Sequence, residues 1–202
     1  MNSAMTGCRG PADNTGYESV DRVAMKGVVF NMFEQIVARD FGEDTWDALL
    51  DASGLDGVYT SLGSYPDEDL GKLVRAGAER LDMPADDVVS WLGRNALPLF
   101  AVHYPQLFEP HDSTRSFVLT LNDIIHPEVR KLYPGADVPE FDFEVRGGVV
   151  VMGYRSPRKL CSFAEGLLLG AADHYGERLT IAQPLCMKRG DDQCVLEIAF
   201  AR

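Results

Sequence analysis

No stretch of this chain approaches the ~18 consecutive apolar residues of a membrane-spanning helix. The first 24 residues are rich in Gly, Asn, Ser, Asp and Thr and lack the apolar stretch of a signal peptide. Basic residues are scarce: 19 Lys and Arg stand against 31 Asp and Glu, a formal net charge of −12. That balance excludes nucleic acid and anionic membrane surfaces as partners, since both require basic patches. Beyond the first 24 residues there are no internal repeats or low-complexity tracts, so the fold is built from unlike elements. Histidine and cysteine are few, four of each, so any metal chemistry rests on a small set of side chains. No nucleophile motif is recognisable, which excludes a cysteine hydrolase.

What is present describes a globular chain. At 202 residues, 46% hydrophobic and 25% charged, it is sized for one domain or for two subdomains sharing a core. Such a chain buries roughly two-thirds or more of its unfolded surface and needs no disulfide staples. Residues 1–24 read as a disordered extension, or as an upstream start before a native Met25, and residues 25–202 as the folded domain. The expected compartment is the cytoplasm, with the cysteines reduced.

The first half reads as helices. Val28, Val29, Met32, Phe33, Ile36 and Val37 recur at helical spacing up to about Phe41-Gly42. Thr45 is placed to cap a short helix from Trp46 to Ala52, ended by Ser53-Gly54. Val58 to Tyr65 reads as a loop. Pro66-Asp67-Glu68-Asp69 and Pro84-Ala85-Asp86-Asp87 are two further helix starts, with proline in the first turn and acids at the positive end of the dipole. The second of these helices should reach about Phe100, with Pro98 inside it. Ser113 or Thr114 opens a helix running through Phe117, Leu121, Ile124 and Ile125 to His126, where Pro127 forces a bend or restart. The period then changes from helical to alternating. Phe141, Phe143 and Val145 alternate with charged residues, Gly147-Gly148 makes a hairpin turn, and Val149 to Tyr154 returns. A helix over Leu160 to Tyr175, with Phe163, Leu167, Leu168 and Ala171 inward, precedes a second hairpin formed by Leu179–Ala182 and Cys194–Ile198. Helices followed by an antiparallel sheet holding one long helix define an α+β domain.

Within this frame, Tyr154-Arg155-Ser156-Pro157-Arg158 sets a phenol, a hydroxyl and a guanidinium at i, i+2 and i+4, at the end of a strand. Arg offers a bidentate charge-assisted fork to a carboxylate, and the two hydroxyls donate to its remaining lone pairs. His126, 28 residues upstream of Tyr154, directly follows Ile124-Ile125, so its imidazole emerges near the core. A lone histidine is more often structural, and Tyr, Ser and Arg are common at strand ends. Together, however, a neutral imidazole and an acid-binding triad describe a socket for a macrocycle carrying both a metal and acid groups, which is haem. His103, His111 and His174 lack such a setting.

Several segments resemble the haem nitric oxide/oxygen-binding (H-NOX) family, relatives of the sensor domain of soluble guanylate cyclase. They are Met25-Lys26-Gly27, Trp46 to Leu50, Tyr59 to Tyr65, His126 to Pro134 and Tyr154 to Arg158. The resemblance spans nearly all of the chain from Met25 onward. It implies a helical N-terminal subdomain packed on a C-terminal subdomain of antiparallel sheet plus helices, with haem b between them. It makes His126 the proximal iron ligand, and Tyr154, Ser156 and Arg158 the propionate holders. Pro139, 13 residues past His126, falls where the family has a proline that presses on the macrocycle. Val29, Phe33, Phe163 and Leu167 fall on elements that line the distal pocket. Members that hold O₂ carry a tyrosine at the position of Phe163, which has no donor. The resemblance therefore implies binding of NO, and also of CO, with exclusion of O₂. Release of His126 would then shift one subdomain against the other. No kinase or cyclase segment is recognisable here, so the implied partner is a separate sensor histidine kinase or cyclic-di-GMP enzyme, and the implied state is a monomer without enzymatic activity. No distal acid-base pair is evident near Phe163, which disfavours a peroxidase.

Cys161, Cys186 and Cys194 cluster in the last quarter, and Cys8 stands apart with no assigned role. Buried thiols often serve only as packing, while clustered thiolates suit zinc. Some H-NOX proteins bind zinc here through three cysteines and a histidine three residues before the first hairpin cysteine. This chain has Gln183 at that place. The alternatives are a three-cysteine site completed by water or another group, and a metal-free cluster acting as a thiol redox sensor.

Overall fold

A computed structural model describes residues 24–201. The expected extension and Cys8 lie outside these residues, except that Ala24 opens the first strand. Among the described residues there are seven α-helices and six strands. A helical half holds α1 (Gly27–Phe41), α2 (Glu43–Ser53), α3 (Asp67–Leu81) and α4 (Ala85–His103). The other half holds α5 (Thr114–Val118), α6 (His126–Leu132) and α7 (Cys161–His174) with an antiparallel sheet. The architecture is α+β.

α1 begins without a side-chain cap. Its free amides are met by the loop before α3: Gly27 N donates to Gly63 O at 3.0 Å and Val28 N to Ser61 O at 3.1 Å. The approach is so close that a Cβ on Gly27 would lie 2.0 Å from Thr60 O. The same junction pairs β1 (Ala24–Lys26) with β2 (Ser64–Pro66). β2 was expected as loop; three residues carry no period to read. α2 starts at Glu43, two residues ahead of Thr45, whose hydroxyl donates back to Phe41 O at 2.9 Å instead of capping. α4 continues past Phe100 to His103, with the exposed Pro98 inside it.

The second sheet has the order β3-β4-β6-β5, from β3 (Glu140–Arg146), β4 (Val149–Arg155), β5 (Arg178–Leu185) and β6 (Cys194–Ala201). β5 runs three residues beyond Ala182. A register shift between Ala182 and Leu185 takes up Gln183 and Pro184, and proline has no amide to give the ladder. α7 lies on this sheet: Leu168 and Ala171 share a core with Val150, Met152, Leu196 and Ile198. A separate core joins Phe30, Phe33, Ile36, Leu73, Val88 and Leu92 of the helical half. α4 and α7 bridge the two. Added Cβ atoms on Gly166 and Gly170 would come within 2.0 Å of Ser90 O and 2.5 Å of Arg94 O, so the glycines let the two backbones touch.

The path to His126 differs from the continuous helix expected. Ser113 caps α5 by accepting from Ser116 N. Residues Leu121–Ile125 then form one wide π-helical turn, in which Thr120 O accepts from both Ile124 N and Ile125 N. α6 starts at His126, so Pro127 falls in a first turn where its missing amide costs nothing. The discontinuity therefore precedes His126 and does not lie at Pro127.

Candidate functional site

A cavity of about 280 Å³ opens between the two halves, walled by α1, α4, α6 and α7 and by β4. Val29, Leu97, Phe100, Phe163, Leu167 and Met152 give it an apolar interior. His126 is the only histidine on its wall among the described residues. The ring stacks on Phe141, centroids 5.3 Å apart at 26°, and neither nitrogen has a hydrogen-bond partner among those residues. Burial, aided by the Arg130 cation, pulls its pKa down to about 4. The imidazole is therefore neutral at pH 7, with its lone pair free to ligate. The other histidines sit elsewhere. His103 bonds Leu99 O, His111 bonds Ser116 Oγ, and His174 packs on Phe108 and Tyr175.

The end of β4 carries the polar part of the wall. Tyr154, Ser156 and Arg158 all border the cavity, whereas Arg155 turns outward to Asp142 and Gln193. Tyr154 Oη accepts from Leu160 N at 3.0 Å, and burial holds its pKa above the usual tyrosine value. Ser156 Oγ accepts from Arg158 N at 3.3 Å. The Arg158 side chain is only 7% exposed. Its Nε donates to Asp67 Oδ2 at 2.8 Å, Nη1 to Asp137 Oδ2 at 3.1 Å and Nη2 to Ala24 O at 2.9 Å. The guanidinium thus joins β1, α3 and the loop after α6 at one point. Asp67 Oδ1 is buried without a partner among the described residues, and burial raises the pKa of that carboxyl despite Arg158.

Of the other residues singled out in the sequence, Val29, Pro139, Phe163 and Leu167 border the cavity. Phe33 does not. It is 1% exposed in the helical core, with its ring 5.7 Å from Trp46. Its place on α1 follows the buried stripe, one turn beyond Val29 and rotated away. Sequence reading passed over Leu97 and Phe100, one turn apart on α4, and the phenols Tyr104 and Tyr133, whose hydroxyls bond each other. Each tyrosine ends a helix and precedes a proline, and that shared Tyr-Pro step was the available signal.

Away from the cavity, the sulfurs of Cys161, Cys186 and Cys194 lie within 4.8 Å of one another, all buried. Cys161 Sγ and Cys186 Sγ are 3.8 Å apart, and Cys194 Sγ is 4.0 Å from Cys186 Sγ. Burial raises the Cys186 thiol, but bonds from the Lys188 amide, the neighbouring thiols and the Arg189 amide outweigh it and lower the pKa. Burial pushes Cys194 up to about 12. No histidine or carboxylate joins the group among the described residues. Gln183 has a buried Nε2 with no partner among the described residues, and an amide nitrogen is no metal ligand. His174 is at the far end of α7 from Cys161 and does not replace it. The donor set fits three corners of a tetrahedral zinc site.

A neutral imidazole facing an apolar cavity with two hydroxyls and a guanidinium at its edge fits haem. The haem-NO-binding family matches residues 26–183. A crystal structure of an H-NOX protein from S. oneidensis in the Fe(II)NO ligation state is 35% identical, with a TM-score of 0.83 over 88% of this chain and all of that one. An H-NOX from Shewanella woodyi, bound to IWP-051 in the Fe(II)CO state, is 30% identical, with a TM-score of 0.75 over 88% of this chain and 95% of that one. An unliganded Fe(II) H-NOX protein from K. algicida is 26% identical, with a TM-score of 0.79 over 88% of this chain and 97% of that one. No curated protein matches. No described helix is long and apolar enough to cross a membrane. The chain belongs to the haem-NO-binding, or H-NOX, family.

Proposed function

We propose that the protein is an NO sensor that excludes O₂ and signals to a separate partner, without catalysis of its own. Bound haem b would supply a ferrous iron able to take NO or CO. His126 would hold that iron through its neutral imidazole, and the cavity's placement of this ring is the observation that carries the reading. Tyr154, Ser156 and Arg158 would hold the acid groups, and Pro139 would press on the macrocycle from the loop after α6. Opposite, Val29, Phe163 and Leu167 offer no hydrogen-bond donor to a diatomic ligand. Bound O₂ gains much from such a donor and NO far less, so the apolar wall favours NO by at least on the order of 1 kcal/mol. No residue of α6 is fully buried, which suits it to shift when His126 is released. A sensor histidine kinase or a cyclic-di-GMP enzyme would read that shift. The working form would be a cytoplasmic monomer.

Absorption spectra of the reduced protein test this, taken without air, then in air, then with NO. A ferrous spectrum that is indifferent to air over minutes and changes on adding NO is expected. A stable complex with O₂ would overturn the choice of gas.

A second reading places the sensor at Cys161, Cys186 and Cys194, favoured by their three converging sulfurs. Zinc held by these thiolates, or their oxidation, would carry the signal with haem secondary. It requires a response to peroxide that survives His126→Ala.

A further inference from the structure

Tyr104 follows the last residue of α4, and Tyr133 follows the last residue of α6. Both border the cavity. Their rings meet edge to face, with centroids 6.4 Å apart at 82°, and their hydroxyls are hydrogen-bonded to each other. Tyr133 is only 7% exposed. Burial and the hydrogen bond shared with Tyr104 both raise its pKa, so the phenol keeps its proton at any physiological pH.

Two hydroxyls carry two protons, and the bond between them uses one. No other side-chain or backbone oxygen among the described residues accepts from either phenol. One donor of the pair is left over in a part-buried place beside an apolar wall, where a donor without an acceptor is costly. The acceptor it needs belongs to whatever the cavity holds.

Position narrows the identity of that acceptor. α6 has seven residues and, at about 1.5 Å per residue, sets Tyr133 about 10 Å along from His126. The pair is thus remote from the imidazole. It is close in sequence to the acid-binding edge: Ala136 N turns back to Tyr133 O, and the next residue, Asp137, accepts from Arg158 at 2.7 Å through its carbonyl. Phenol pair and guanidinium border the same cavity and are linked by this short turn.

We propose that Tyr104 and Tyr133 form a second carboxylate-binding element of the cavity, donating one hydrogen bond to an acid group of the macrocycle beside those given by Tyr154, Ser156 and Arg158. The inference rests on the haem reading above. It also makes the pair a tie between α4 and the helix that carries His126, closed by the same acid group.

The test compares loss of haem with loss of its dimethyl ester, in which the acid groups are uncharged, from the wild type and from Tyr104→Phe/Tyr133→Phe. The double variant should lose haem on the order of tenfold faster and lose the diester at the wild-type rate. Tyr104→Phe alone should act less, because the Tyr133 hydroxyl then donates directly. Equal acceleration for both macrocycles would mark a packing defect and overturn the proposal. An altered stretching frequency of bound CO with unchanged haem loss would overturn it too, moving the donor to the gas side. A wild type that holds haem, with a double variant that behaves identically, overturns this inference alone. A wild type that takes up neither macrocycle overturns the haem reading and this inference together.

Discussion

His126 has the sharpest consequence at the scale of single residues. Its folded pKa, about 4, lies below the 6.5 of an unfolded histidine because burial disfavours the cation. The unfolded chain therefore takes up a proton below pH 6.5 that the folded chain refuses until about pH 4. Stability of the haem-free protein is unaffected above pH 6.5 and falls across that window, by up to roughly 3 kcal/mol. Urea midpoints measured from pH 7 to 4.5 should drop more steeply for the wild type than for His126→Gly; parallel curves would contradict the buried neutral ring. Arg158 acts on two properties at once. Arg158→Ala strands the Asp67 carboxyl and unties β1 from the loop after α6, costing roughly 2 kcal/mol after allowing for the exposure of Asp67 and Asp137. Haem loss should also quicken while the circular dichroism stays native. Unchanged haem dissociation would remove Arg158 from the acid-binding role. That Tyr154, Ser156 and Arg158 share one wall of the cavity was legible because a fixed spacing at a strand end carries them there. Phe33 was misplaced because one wall of a cavity and one face of a core obey the same helical period.

Elements were legible where periodicity was long and lost where it was short or irregular. The runs of α1 and α3 follow buried positions such as Met32, Ile36, Leu70 and Leu73. β2 and the π-helical turn before His126 have no such pattern, since the first depends on pairing with a distant strand and the second on one extra residue per turn. α7 shows a subtler limit. Its large residues were expected inward, yet it is Gly166 and Gly170 that meet α4, while Phe163 and Leu167 turn to the cavity. Hydrophobicity marks burial but not which neighbour comes nearest. Gly166→Ala forces a Cβ to 2.0 Å from Ser90 O, so the helices must part; thermal unfolding should show a loss on the order of 3 kcal/mol. Gly71→Ala meets only the flexible end of Arg75 at 3.4 Å and should gain about 0.5–1 kcal/mol from helix propensity. Equal effects at both sites would contradict the close α4–α7 contact.

At the scale of the whole molecule, two cores are joined through α4 and α7, with Arg94 Nε to Asp173 Oδ2 at 2.6 Å along their seam. α6 has no fully buried residue; Val129 packs against the core of the sheet half, and its ends are held by Phe141 stacked on His126 and by Tyr104 bonded to Tyr133. On the proposed function, this helix would be the two-state element that a bond at His126 biases. The division into a helical half and a sheet half was visible from the change of period near residue 140. The placing of a cavity between them was not, because it is made by residues far apart in sequence; His126 and the Tyr154–Arg158 segment implied a socket, and only the family resemblance set it between the halves. The role of His126 as iron ligand is tested most directly by haem retention in His126→Gly with and without added imidazole. Haem held only while imidazole is supplied is the predicted result. Full retention without imidazole would contradict it.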